Sequence, residues 1–117
     1  MPATTEQSPA WIPVNEKVRR RTVLVGDKMM QMFVEFQKGG YTPPHSHVHD
    51  QVVHVVRGRM KFTVAGVEQT VEQGHSCYFP SNAPHDATAL EDSLLLDTFT
   101  PIRDDLIAQD KERSKTP

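Results

Sequence analysis

Apolar side chains recur at every second position over short stretches of this chain, and each stretch stops at turn residues, the signature of strands half-buried in a pleated sheet. Met30, Met32, Val34 and Phe36 alternate in this way before Lys38-Gly39-Gly40. Val52 to Val56 is rich in β-branched residues and stops at Arg57-Gly58, after which Met60, Phe62 and Val64 alternate with Arg59, Lys61 and Thr63. The spacing predicts a hairpin with Gly58 at its turn. Ala65-Gly66 predicts a second turn, Gln73-Gly74 a third before Ser76 to Phe79, and Pro80-Ser81-Asn82-Ala83-Pro84 a rigid one before His85 to Leu90. Ser93 to Phe99 ends the series. About seven short strands at spacings of roughly 8 to 12 residues predict an all-β sandwich or barrel. One helix is expected after them, with Thr100 as N-cap, Pro101 in the first helical position, and Asp104 and Asp105 near the positive end of its dipole. Ile102, Leu106 and Ile107 are expected to dock it.

The chain has 117 residues, which suits a single domain. Polar, aperiodic ends divide it into a flexible segment 1–10, one barrel domain 11–109 and a flexible tail 110–117. Thirteen Lys and Arg stand against 15 Asp and Glu, a formal charge of −2 without the basic stripe that nucleic acid requires, so no nucleic-acid partner is expected. No apolar run approaches the roughly 18 residues of a membrane span, so no membrane partner is expected. The polar start is unlike a secretory signal, and the single cysteine, Cys77, cannot form an internal disulfide; both lead to an expectation of cytoplasmic residence.

Three of the six histidines fall within five residues, in Pro43-Pro44-His45-Ser46-His47-Val48-His49-Asp50-Gln51. In an extended chain, residues two apart share a face, so His45 and His47 can ligate one ion, and Gln51 has the parity to join them. His85, after the proline turn, is the fourth expected ligand. An accidental His-rich surface loop would not bring a distant histidine and a glutamine into the same pattern. His49 is expected at the rim or behind the ligands, His54 as a strand residue and His75 as a turn residue. Three imidazoles and an amide oxygen suit a divalent transition metal: Ni, Zn, Fe, Mn or Co.

A second group of residues carries acid–base character. Asp97 lies in the otherwise apolar run Leu94-Leu95-Leu96-Asp97-Thr98-Phe99. A buried carboxylate there either pairs with Lys or Arg at a strand end, or lines the barrel mouth with Leu95 and Phe99, where desolvation raises its pKa into a useful range. Phe99 is either plain core or an apolar surface for a substrate. Arg103 either forms a surface pair with Asp104 or a nearby Glu, or holds a substrate carboxylate by its two-pronged guanidinium. Tyr78, Met60, Phe62 and Phe33 are candidates for an apolar lining. Trp11 is expected to anchor the N-terminal segment on the barrel or on a partner subunit.

Two segments then resemble a known family. Gly39-x5-His45-x-His47-x3-Gln51-x6-Gly58 is similar to the first cupin motif and Gly74-x5-Pro80-x-Asn82-x2-His85 to the second, together spanning 47 of 117 residues. The resemblance implies a cupin double-stranded β-helix, a jelly-roll barrel, with a metal held by His45, His47, Gln51 and His85. Gln51 stands where glutamate is usual, Asn82 where glycine is usual and Ala89 where asparagine is usual. A neutral amide in place of a carboxylate leaves the ion its full charge, which favours Lewis-acid binding over higher oxidation states. Asn82 still fits a tight turn, since asparagine tolerates the left-handed region.

Within the cupins, the HxHxHxQ string and Asp97-Thr98-Phe99-Thr100-Pro101-Ile102-Arg103 resemble the KdgF group of pectin and alginate degradation. That resemblance implies a small-molecule sugar-acid substrate, a 4,5-unsaturated monouronate converted to the linear 5-keto-4-deoxyuronate. Asp97, Phe99 and Arg103 would then be the catalytic residues, and a homodimer is expected. Two alternatives stand beside it: an Fe-dependent cupin dioxygenase or lyase on another small acid, and a non-catalytic small-ligand binder.

Overall fold

A computed structural model describes residues 11–114. Along the chain run β1 (Ile12–Asn15), β2 (Val18–Val25), β3 (Met30–Phe36), β4 (Tyr41–His45), β5 (Asp50–Arg57), β6 (Arg59–Val64), β7 (Val67–Glu72), β8 (Ser76–Phe79), β9 (His85–Ala89), β10 (Ser93–Thr100) and α1 (Asp104–Ser114). The strands form two antiparallel sheets, ordered β1-β2-β3-β10-β5-β8 and β4-β9-β6-β7. This is the expected all-β jelly roll with a short C-terminal helix.

Alternation decides what the sheets enclose. β3 buries Met30, Met32, Val34 and Phe36, β6 buries Met60, Phe62 and Val64, and β10 buries Ser93, Leu95, Asp97 and Phe99. The inward faces of the two sheets meet in one core that also takes in Val53, Val55, Ala87 and Ala89. Asp97 and Gln51 therefore sit on core-facing positions, 5% exposed each.

Several expectations change. The described residues form ten strands, not seven. β2 escapes a pattern search because Arg19, Arg20 and Arg21 interrupt its apolar residues, and β4 because Pro43 and Pro44 lie inside it. Prolines are admissible there because β4 is an edge strand, pairing only with β9. Gly58 is not a hairpin turn: β5 and β6 belong to different sheets, and Gly58 is the corner between them. Its φ is +99°, and a Cβ there would lie 2.2 Å from Ser93 Oγ and 2.5 Å from the Asp92 carbonyl oxygen. Ala65-Gly66 does form the tight turn expected of it, with φ of 48° and 83° linking β6 to its partner β7.

Thr100 is not the helix cap. It still pairs with Asp50 in β10, and its hydroxyl donates to the Lys28 carbonyl. The helix starts instead at Asp104, where the Arg103 carbonyl accepts the Ile107 N–H at 3.0 Å. Leu106 docks α1 in the core, with Ile102 and Ile107 half-buried beside it. The helix also runs through Ser114, so residues 110–114 are helical where a tail was expected. Asp110 is drawn in because Arg20, 3% exposed on β2, donates to its carboxylate at 3.0 Å. The expected flexible residues 1–10 and 115–117 lie outside the described residues. Trp11 lies under the guanidinium groups of Arg19 and Arg21, 4.5 and 5.2 Å from its ring, which ties it to β2. Among the described residues no helix is long and apolar enough to cross a membrane.

Candidate metal centre and its acid–base neighbour

β4 ends at His45 and β9 begins at His85, and the antiparallel register sets these two directly opposite each other. His47 follows in the loop that enters β5. One nitrogen from each of the three rings lies within 4.8 Å of the others. The loop is fastened to the proline turn that precedes His85. The Asn82 N–H donates to the His47 carbonyl at 2.7 Å, and the Ser81 hydroxyl to the Val48 carbonyl at 2.6 Å. Asp50 accepts from the Tyr78 hydroxyl and the Ser81 N–H, and these two bonds hold its carboxyl below the usual carboxylate range. Asn82 takes the left-handed conformation at φ 64° that lets the turn close.

The hydrogen bonds of the imidazoles fix their tautomers. His45 Nδ1 lies 3.0 Å from the Pro43 carbonyl oxygen, His47 Nδ1 3.2 Å from that of His49, and His85 Nδ1 3.0 Å from that of Ala83. A carbonyl can only accept, so each Nδ1 carries the proton, and in the neutral ring each Nε2 presents a lone pair. Burial pushes His85 down to about 4 and also lowers His47, where Arg103 adds repulsion, so both are neutral near pH 7. His85 Nε2 is buried with no hydrogen-bond partner among the described residues. His47 Nε2 faces Gln51 Oε1 at 3.1 Å, while Gln51 Nε2 donates to Asp97 Oδ2 at 3.0 Å. The amide is thereby oriented with its oxygen toward the histidines, so acceptors converge on one point. A cation is the partner that such a donor set fits, and three nitrogens with one oxygen suit a divalent transition ion.

His49 lies outside the converging set. It supplies the carbonyl that orients His47, and its ring packs edge-on against His47 at 5.3 Å. His54 bonds Ser76 Oγ at 2.8 Å, and His75 is exposed beside the turn.

Asp97 adjoins this centre through Gln51. Burial pushes its carboxyl up to about 7, against the opposing pull of the Gln51 hydrogen bond and Arg103. Its Oδ1 is buried with no partner among the described residues. Phe99 packs edge-on against His47 at 5.9 Å, and the Arg103 guanidinium carbon lies 5.0 Å from the Phe99 ring centre. Arg103 pairs with Asp105, not with Asp104 or a glutamate: Nε donates to Oδ1 at 3.0 Å and a terminal nitrogen to Oδ2 at 2.8 Å. That fork holds the Asp105 carboxyl down at about 2. His45, Gln51, His85, Asp97, Phe99 and Arg103 all line one cavity of about 640 Å³.

Of the candidate apolar lining residues only Phe62 reaches that cavity. Met60 is fully buried in the core, whereas Tyr78 and Phe33 have the opposite strand parity to their buried neighbours, and Tyr78 is 53% exposed. Phe79 lines the cavity in Tyr78's place, as the inward member of β8. Arg20 and Gln109 also line it and were not singled out from the sequence. Arg20 stands between two other arginines, and only its inward parity distinguishes it.

Residues 32–97 match the Cupin domain family. The chain is 30% identical over 99 residues to the pectin degradation protein KdgF of Dickeya dadantii (strain 3937), covering 83% of this chain and 90% of that one. Among solved structures it superimposes on KdgF from a Halomonas species with a TM-score of 0.79 and 34% identity, over 83% of this chain and 90% of that one. An RmlC-like cupin from Shewanella frigidimarina NCIMB 400 matches with a TM-score of 0.79 and 29% identity, over 83% and 87% of the two chains. With both motifs, the jelly roll and the histidine cluster in place, the chain belongs to the cupin family and, within it, to the KdgF group.

Proposed function

We propose that the protein is a metal-dependent enzyme that opens 4,5-unsaturated monouronates, the products of polyuronate lyases, to the linear 5-keto-4-deoxyuronate. The observation that carries this reading is a buried carboxyl, Asp97, poised near neutrality with Oδ1 unpartnered among the described residues, in the same cavity as His45 and His85 of the convergent histidine triad and the Arg103 guanidinium. The relative from Dickeya dadantii, named for pectin degradation, supplies the substrate class.

A 4,5-unsaturated uronate is a cyclic enol ether with a hemiacetal at C1. Loss of the C1 hydroxyl proton to solvent and cleavage of the C1–O5 bond, with its electron pair leaving on O5, give an aldehyde at C1 and an enolate at C5. Delivery of a proton to C4 turns that enolate into the ketone, so one proton is lost and one gained, the product is an isomer of the substrate and no redox partner is needed. His45, His47, Gln51 and His85 would hold the divalent ion, which supplies Lewis-acid binding of a sugar oxygen when present. Arg103 uses the edge of its guanidinium not taken by Asp105 to hold the substrate carboxylate. Asp97 Oδ1, sheltered from water, delivers the C4 proton, while Gln51 keeps Oδ2 occupied. Phe99 offers its ring to the sugar and supports Arg103 from below.

The test is loss of the enol-ether ultraviolet absorbance when purified protein is mixed with unsaturated monouronates made by pectate and alginate lyases. The wild type is expected to exceed the spontaneous rate. His47→Ala is expected to lose both metal and rate, and Asp97→Asn to lose on the order of 10²-fold or more in kcat with metal content unchanged. Spontaneous rates with metal bound would defeat the reading.

The six-stranded sheet turns Val52 and Val56 outward, 42% and 38% exposed, with Leu94 and Leu96 half-buried on the neighbouring strand. We assign this face to a homodimer contact. Sedimentation should give twice the 13.2 kDa chain mass, and a monomer at high concentration would refute it.

A further inference from the structure

Arg20 is a nearly fully buried cation that donates to three acceptors on a single element. Its guanidinium donates to Asp110 Oδ1 at 3.0 Å, to Gln109 Oε1 at 3.1 Å and to the Leu106 carbonyl at 3.3 Å, all on α1. Thr22, two residues along β2 and so on the same face, donates to the other Asp110 oxygen. Arg20 also lines the cavity, yet with its fork committed to three acceptors it is not free to be a second anchor for substrate.

The register shows what this polar seat is placed to control. Thr22 lies opposite Met32, and Met32 lies opposite Asp97, so the seat and the acid share one inward-facing row, two strand spacings or about 10 Å apart. At the start of α1 stands Arg103, whose carbonyl accepts the first helical N–H, whose own N–H contacts Met30 Sδ, and whose guanidinium is forked to Asp105 in the first turn. The helix has few apolar anchors: among its described residues only Leu106 is buried, with Ile102 and Ile107 half-buried near its start. Polar bonds from β2 therefore decide where the helix rests, and the rest position decides where Arg103 lies on the cavity wall.

We propose that Arg20, acting through Asp110, is a positioning residue for substrate: it seats α1 so that Arg103 is held where it receives the sugar-acid carboxylate. This rests on the carboxylate-binding role given to Arg103 above. A positional error of about 1 Å in such a clamp is enough to cost up to two orders of magnitude, so the effect is expected in substrate binding first.

The experiment compares wild type, Asp110→Ala and Arg20→Lys, each also combined with Arg103→Ala. Asp110→Ala should raise KM for unsaturated monouronate, and the calorimetric Kd for the unreactive D-galacturonate, by roughly tenfold or more, with kcat little changed and metal content equal to wild type. Arg20→Lys, which keeps the charge but not the fork, should fall between the two. In the Arg103→Ala background the same substitutions should have no further effect on KM or Kd, because the residue they position is gone. Equal KM and Kd in Asp110→Ala, a matching loss of kcat and metal, or an undiminished effect without Arg103 would each overturn the proposal. If Asp110→Ala fails to fold, Asp110→Asn takes its place, with a smaller rise in KM and Kd expected in the same direction and an unchanged value overturning the idea. Hydrogen exchange at the Ile107 amide separates this inference from the reading of function, since it needs no turnover. Faster exchange in Asp110→Ala is required even if no uronate is consumed, and unchanged protection would sink the seat itself.

Discussion

Burying Asp97 beside an uncharged amide gives its proton a thermodynamic weight that stability measurements can read. In the metal-free protein the folded state holds that proton up to about pH 7, whereas an unfolded chain releases it near its ordinary value of 3.8. Between those values the folded state binds more protons, so this group's contribution is fully present below about 3.8 and is lost as pH rises through about 7. His85 acts in the opposite sense. Its folded value of about 4 lies below 6.5, so its contribution is present above 6.5 and is lost as pH falls through 4. The two slopes oppose each other, and subtracting a variant isolates one of them. The melting temperature of metal-free wild type relative to Asp97→Asn should fall steadily from pH 4 to pH 7.5, and a difference that does not change with pH would show that the carboxyl is solvated. Much of this residue's setting was legible in the chain. An aspartate at even parity with Leu95 and Phe99 in an apolar run has few places to go but the core face, and HxH two residues apart shares a face by the same rule. The burial of Arg20 was not legible, because its partner Asp110 lies 90 residues away and both neighbours of Arg20 are also arginine.

Among the elements, the corner at Gly58 has the sharpest mechanical requirement. A side chain there would both demand a left-handed backbone and drive into Ser93 Oγ and the Asp92 carbonyl oxygen, while Ser93 Oγ is already bonded by the Arg59 N–H. Gly58→Ala should therefore destabilise the barrel by about 1–3 kcal/mol or more, measurable as a lower urea midpoint with the slope unchanged. A neutral outcome would mean that the corner can open. The same residue shows where reading by pattern stops. A glycine between two alternating runs is equally good for a hairpin and for a corner between sheets, and only the pairing of β5 with β10 and β8, and of β6 with β9 and β7, separates the two. The helix start was misplaced for a related reason. Thr100-Pro101 is a good cap-and-first-residue pair by composition, but the ladder to β5 retains Thr100 in the sheet and moves the start to Asp104.

At the scale of the whole molecule, the histidine cluster joins the chain's two layers. His45 and His85 come from the four-stranded sheet, Gln51 from the six-stranded one, and His47 from the loop between. An ion held by all four would fasten the layers together in the folded state alone. Thermal unfolding should therefore shift upward on adding a divalent transition metal, by about 2.7 kcal/mol at a free concentration 100 times its Kd, and return on chelation. His47→Ala should show no such shift, and an equal shift in that variant would place the ion elsewhere. The prolines of β4 have a consequence of another kind. Pro43 and Pro44 carry no N–H, and they occupy the strand that borders the four-stranded sheet beside the cavity mouth. Proline at adjacent positions of a five-residue strand interrupts the donor row that an incoming chain would need to extend the sheet, so this border resists fibre-like stacking where the open mouth would otherwise invite it.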